Sequence, residues 1–174
     1  MNLTELIMQR RSHRKFTEEP ISASDIKELQ RVAIAAPTSK NCKSWNFVFV
    51  TDAEKISAIA KSKESGAAFM EQAKLAIVVV GDTSKTDVWV EDSSIAATYL
   101  LLKAEELGLG ACWVQMRLRG DADGKTASDN IRKLLSIPEG FEVECVVAVG
   151  HKAAERSPYT DEKLPFDQIH NEVW

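Results

Sequence analysis

Cysteine is scarce in this chain: three residues, Cys42, Cys112 and Cys145, widely spaced among 174. Their odd number, with no CxxC pair and no metal-ligand spacing, excludes a disulfide framework and a cysteine-built metal centre. Cys112 and Cys145 sit in apolar runs, where a thiol is an inert packing group. Histidine is as thin, with His13, His151 and His170 dispersed along the chain. There is no GxSxG, no HExxH and no P-loop, so the common hydrolytic and nucleotide-binding templates are missing. If the chain is an enzyme, a cofactor must carry the hard chemistry. No run of 18 apolar residues and no signal-peptide core are present, so the expectation is a protein with no membrane span in a reducing cytoplasm.

What is present is ordinary globular material. The chain is 44% hydrophobic and 28% charged, which suits one domain over residues 1–174 that needs no covalent staple. Twenty-two basic against 26 acidic side chains leave a net charge of −4. A field of that sign disfavours nonspecific binding to nucleic acid or anionic lipid. Against it stands RRSHRKF (10–16), a cluster of cationic and titratable groups broken by one serine. Its target is therefore local and small.

Hydrophobic spacing predicts a helix over 2–11 and a second one capped by Ser22 or Ser24, with Ile26, Leu29, Val32 and Ala33 on its apolar face and a stop before Pro37. Strands are predicted at 46–51, 75–81, 111–116 and 141–150. LAIVVVG (75–81) is apolar throughout, as in a strand buried on both faces. Short helices fall at 53–62 and 67–74. A central one falls at 92–107, apolar nearly all round and ended by Gly108, and another at 127–137. Residues from about 151 onward are polar, punctuated by Pro158 and Pro165, and read as an extended arm. The order of elements implies an α+β sandwich with a central sheet between helices. Gly108-Leu109-Gly110 follows a helix and precedes a strand, the reverse of a dinucleotide-binding turn.

Three stretches could carry chemistry. Arg10, Arg11 and Arg14 lie three or four apart in two of their pairings, so on a helix end some would converge; with Ser12 they could hold a phosphate, or merely offset the helix dipole. His13, in the same basic segment, is expected at the surface. AAPTSKNCKSW (35–45) is a polar loop rich in donors and acceptors. GLGACWVQ (108–115) lets backbone approach a neighbour closely, or is only a helix cap and a turn.

Taken in order, RRSHRKF, AAPTSKNCKSWNFVFV, GLGACWVQ and VGHKAAERSP with EKLP resemble the nitroreductase family of FMN-dependent oxidoreductases, over nearly the whole chain and in its shorter form. The resemblance implies an α+β sandwich with a central mixed sheet and an intertwined homodimer with FMN at the subunit interface. It assigns Arg10, Ser12 and Arg14, with Arg11 between them, to the flavin phosphate and ribityl chain. It assigns Pro37, Thr38, Ser39 and Asn41 to a loop contacting the flavin of the partner subunit. Trp113, Val114 and Gln115 would pass behind the ring, mostly through backbone. Lys163 would add a cation from the arm, with Lys152 and Arg156 as lesser candidates. Lys43 and Ser44 depart from the family loop, which usually has Gln and Pro there. The implied activity is hydride transfer from NAD(P)H to flavin and then, in a ping-pong sequence, to a nitroaromatic, quinone or related small acceptor, with no obligatory side-chain catalyst. The alternatives are a flavin-binding module for storage or sensing without turnover, and a basic arm for nucleic acid, which the net charge disfavours.

Overall fold

The computed structural model describes residues 1–174. Helix α1 (Leu3–Gln9) starts in a capping box: Asn2 accepts from the Glu5 amide while the Glu5 carboxylate accepts from the Asn2 amide, at 3.0 and 2.9 Å, satisfying donors a helix start leaves free. Helix α2 (Ala23–Ala35) is capped by Ser22. It ends where Pro37 forces the residue before it out of the helical region, with Ala36 extended. Then come β1 (Trp45–Val50), α3 (Ala53–Ala60), β2 (Leu75–Asp82), α4 (Trp89–Glu106), β3 (Leu109–Gln115), α5 (Ala127–Leu135) and β4 (Phe141–His151). Residues 68–72 form a 3-10 turn where a short helix was predicted.

The sheet runs in the order β1-β2-β4-β3. All three strand pairings are antiparallel. The expected mixed sheet is reduced to one parallel bridge, between Ser12 and Ala111 on the outer edge of β3. Both faces are covered, which makes the sandwich. On one, Val78, Val80, Val146 and Ala148 meet Ile56 and Ile59 of α3 and Ile131 of α5. On the other, Ile77, Val79, Cys145 and Val147 meet Leu29 of α2 and Ala97, Leu100 and Ala104 of α4. Strand β2 is therefore apolar without alternation because helices close both sides.

Helix α4 begins at Trp89, three residues ahead of the predicted start. The cause is a packing contact invisible in the local pattern. The Trp89 ring lies on Gly81 of β2, where a Cβ would stand 2.2 Å from Cε3. A tryptophan can seat on the strand there only because residue 81 has no side chain. That contact fixes the start of α4 over the sheet. At its other end Gly108, with φ +75°, takes the left-handed position that closes the helix. Beyond β4, residues 153–174 are exposed save for half-buried Leu164, with Phe166, Ile169, Val173 and Trp174 uncovered.

Candidate functional site

The basic segment is not helical. Helix α1 ends at Gln9, and residues 10–16 run extended along the edge of β3. The His13 amide donates to Ala111 O at 2.9 Å and the Thr17 amide to His151 O at 3.0 Å. In an extended chain, alternate residues share a side. This replaces the helical spacing expected for Arg10, Arg11 and Arg14, and brings Arg10, Ser12 and Arg14 together instead.

The surroundings of Cys112 show what converges. Burial pushes its thiol up; the charge of Arg14, a hydrogen bond with Ser12 and the charges of Arg10 and Arg156 pull the other way. The Arg156 guanidinium also donates to Ser12 O at 3.1 Å, bringing the arm over the segment. Arg14 and Arg156 line a cavity of about 240 Å³ with His13, Lys15 and Ala154. None of Arg10, Arg11, Arg14 and Arg156 forms an ion pair, although the chain has 12 such contacts elsewhere. Several guanidinium groups without a carboxylate suit a multiply charged anion such as a phosphate monoester. Arg11 turns away, its guanidinium 4.1 Å above the Tyr159 ring.

His13 is buried rather than at the surface. A Cβ at Gly110 would lie 2.9 Å from the His13 Cβ, so the glycine of β3 admits the imidazole. Burial, then the Lys152 charge, holds His13 below its ordinary value. Lys152 is occupied: its ammonium pairs with Glu105 of α4 at 2.8 Å, with 7% and 3% of the two side chains exposed. Its ammonium is engaged by carboxylates, and it does not line the cavity of Arg14 and Arg156. Lys163 stands exposed in the turn Asp161–Lys163 and enters no ion pair. Arg156 is the arm cation that reaches the segment.

The second stretch is a tight loop. Ser39–Asn41 make a 3-10 turn, and Lys40, Asn41 and Lys43 have φ of 50°, 56° and 50°, a left-handed backbone that side chains resist. Thr38 Oγ1 accepts from the Lys43 amide at 3.0 Å. Pro37 and Asn41 are exposed and Thr38 and Ser39 half-buried. Ser44, at the place of the usual proline, is fully buried, and its hydroxyl donates to Asp92 of α4 at 2.6 Å. Lys43 is exposed, and its carbonyl accepts from Lys85 at 3.1 Å.

At the end of β3, Val114 is buried in one apolar layer and Trp113 packs against the other. The Gln115 side chain is used internally: its oxygen accepts from Trp113 Nε1 at 2.9 Å, and its amide donates to Arg117 O at 3.1 Å and toward Glu144 at 3.4 Å. The Gln115 carbonyl accepts from Lys63 Nζ at 3.0 Å. Glu144 is skipped in the β2–β4 register at a bulge beside Val79 and Val80. Its carboxyl is buried; Oε2 accepts no hydrogen bond and faces Arg117 Nε at 3.9 Å, and burial pushes the group up, against the Gln115 hydrogen bond and Arg117.

Sequence reasoning missed Asp92, Glu144 and the buried Glu105. An acidic residue opening an apolar helix was a signal for Asp92, but its partners lie about fifty residues away in the chain. The surface adds an apolar groove of about 350 Å³ between α1, α2 and α4, lined by Leu3, Leu6, Ile7, Val32, Tyr99 and Leu102. Leu3, Ile7 and Tyr99 are exposed in it. No helix is long and apolar enough to cross a membrane.

A model of the Nitroreductase family matches residues 7–68 and 57–151. A protein of Archaeoglobus fulgidus, whose name pairs NADH dehydrogenase with NAD(P)H nitroreductase, is 33% identical over 174 residues, covering 97% of each chain. The NADPH-flavin oxidoreductase of Vibrio harveyi is 28% identical over 98% of this chain and 73% of its own. The solved structure of an FMN-dependent nitroreductase from Clostridium difficile R20291 superposes with a TM-score of 0.96 at 36% identity, over 99% of this chain and 100% of that one.

Proposed function

Since the chain belongs to the nitroreductase family, we propose that it is an FMN-dependent NAD(P)H oxidoreductase, working as a homodimer with flavin at the subunit interface. The observation that carries the reading is the set of unpaired arginines at residues 10, 14 and 156 around Ser12, in a chain that is acidic overall. Arg10, Ser12 and Arg14 would hold the flavin phosphate by charge-assisted bonds, with Arg156 from the arm beside them. Lys163 joins them only if the arm closes further. Arg11, stacked on Tyr159, would anchor the arm.

Bound FMN would supply the redox chemistry, that of hydride transfer from NAD(P)H and reduction of a nitroaromatic, quinone or related small acceptor in ping-pong order. The chain itself positions. Backbone of Trp113, Val114 and Gln115 would lie behind the ring, with the Gln115 side chain locked so that the strand end stays rigid. Pro37, Thr38, Ser39 and Asn41 would reach the flavin of the second subunit. The exposed apolar groove of α1, α2 and α4 supports a dimer, since large uncovered apolar surface marks an interface. Cys42, Cys112 and Cys145 are all free thiols, which supports a reducing compartment, the cytoplasm.

The test is the visible spectrum of the purified protein before and after anaerobic addition of NADH or NADPH. Flavin bands that bleach are expected. Bands that persist would favour a flavin carrier without turnover. No flavin after incubation with FMN would overturn the cofactor.

A further inference from the structure

Between Pro37 and Ser44 the chain adopts a conformation its residues do not favour, with left-handed backbone at Lys40, Asn41 and Lys43. Each such residue has a cost that surrounding structure must offset. Local bonds are few: the Thr38–Lys43 closure and the turns at Asn41 and Cys42. Beyond these, Lys85 donates to the Lys43 carbonyl at 3.1 Å, and the buried contacts come from one carboxylate of α4. Asp92 Oδ1 accepts from the Ser39 amide at 2.8 Å. Its Oδ2 accepts from the Ser44 hydroxyl at 2.6 Å and lies 3.5 Å from the Cys42 thiol. Asp92 is 3% exposed and has no cation partner, so these donors and the start of its helix are what compensate its charge.

We infer that Asp92 is a positioning residue: from the first turn of α4 it sets the loop that presents Ser39 and Asn41, and Ser44 is the hydroxyl this chain uses to complete that clamp. The clamp explains the departure from the family loop. A proline at 44 would stiffen the backbone but could not donate. A serine there gives the buried carboxylate a strong O–H donor and ties the loop to α4 instead. The position of Asp92 is in turn set by Trp89 seated on Gly81. Ser44 O accepts from the Asp82 amide at 2.8 Å on the next residue of the same strand, so loop, strand and helix are registered together. The role assigned to the loop rests on the flavin reading; the clamp itself does not.

The test uses purified holoprotein of Asp92→Ala and Ser44→Ala. Amide exchange is followed by mass spectrometry over residues 37–44 and over β2 and β4, and FMN release on dilution by fluorescence, below the unfolding temperature. Asp92→Ala strands the Ser39 N–H and the Ser44 O–H, so exchange over 37–44 should rise about tenfold and FMN should be retained about tenfold less tightly, with β2 and β4 unchanged. Ser44→Ala removes one donor and should show a smaller rise in both, of about threefold. Folded Asp92→Ala with wild-type exchange in the loop overturns the clamp, and faster exchange with unchanged FMN retention overturns its role toward the cofactor. Should Asp92→Ala not fold, Ser44→Ala decides: wild-type exchange and retention overturn the inference. A wild-type protein that never binds FMN refutes the flavin reading, while loop exchange still decides whether Asp92 holds the loop.

Discussion

Glu105→Ala is the perturbation with the largest calculable effect. The Lys152–Glu105 pair is 2.8 Å long and almost wholly removed from water. Removing one partner of such a pair leaves a buried ammonium, a cost of about 3–5 kcal/mol. Glu155 lies 3.6 Å from the same ammonium but is 77% exposed, so it recovers about 1 kcal/mol at most. The net loss is then about 2–4 kcal/mol, a large share of the roughly 5–15 kcal/mol a domain possesses. With an m-value of about 2 kcal/mol/M, the urea midpoint should fall by about 1–2 M. The assay is urea unfolding by circular dichroism at fixed protein concentration, so that any association between copies contributes equally to both proteins. Glu105→Leu with Lys152→Met replaces the pair by apolar groups and should come within about 1 kcal/mol of wild type or exceed it. Glu105 also raises the proton affinity of His13, so its removal should move the imidazole titration lower still. A loss below about 1 kcal/mol for Glu105→Ala would refute the view of a dry, coupled pair.

On the proposed site, Arg14→Ala would remove a charge-assisted phosphate contact and should weaken FMN retention about tenfold; full occupancy after dialysis at micromolar protein would remove Arg14 from the site. His13 has a folded-state pKa below its unfolded value, so the unfolded chain binds the proton first. Stability should fall as pH drops through about 6.5, and the fall should flatten in His13→Asn; parallel urea-midpoint profiles for the two proteins would contradict it. Gly81→Ala sets a methyl 2.2 Å from the Trp89 ring and should cost about 1–3 kcal/mol. Unchanged stability and near-ultraviolet dichroism would show that the ring has another seat.

The sheet strands and most of the helices were legible because their signals are local: a cap at Ser22, a stop at Pro37, an unbroken apolar run at 75–81. The convergence of Arg10, Ser12 and Arg14 was legible only through the ordered motifs. Helical spacing gave the wrong geometry for it, because pairing with the edge of β3 draws residues 10–16 out extended. His13 read as a surface group since nothing near it in sequence reveals that Gly110 leaves room for its ring. Asp92 and Glu105 looked like ordinary helix charges. Their burial depends on partners supplied by a loop and a strand far away in the chain, information that periodicity does not hold.

The bridge between Ser12 and Ala111 has a consequence for solubility. Strand β3 ends the sheet, and Leu109, Ala111, Cys112 and Val114 make it apolar. An uncovered strand of that kind is a template for pairing with another chain. The arginine-rich segment lies along this border and fills hydrogen bonds a stranger could otherwise take, while its like charges repel a second copy. Lesions that lift the segment therefore expose an adhesive edge as they loosen the site. They should be recovered as aggregate, whereas Arg14→Ala, which trims a side chain and leaves the backbone bridge in place, should be recovered as pale soluble protein.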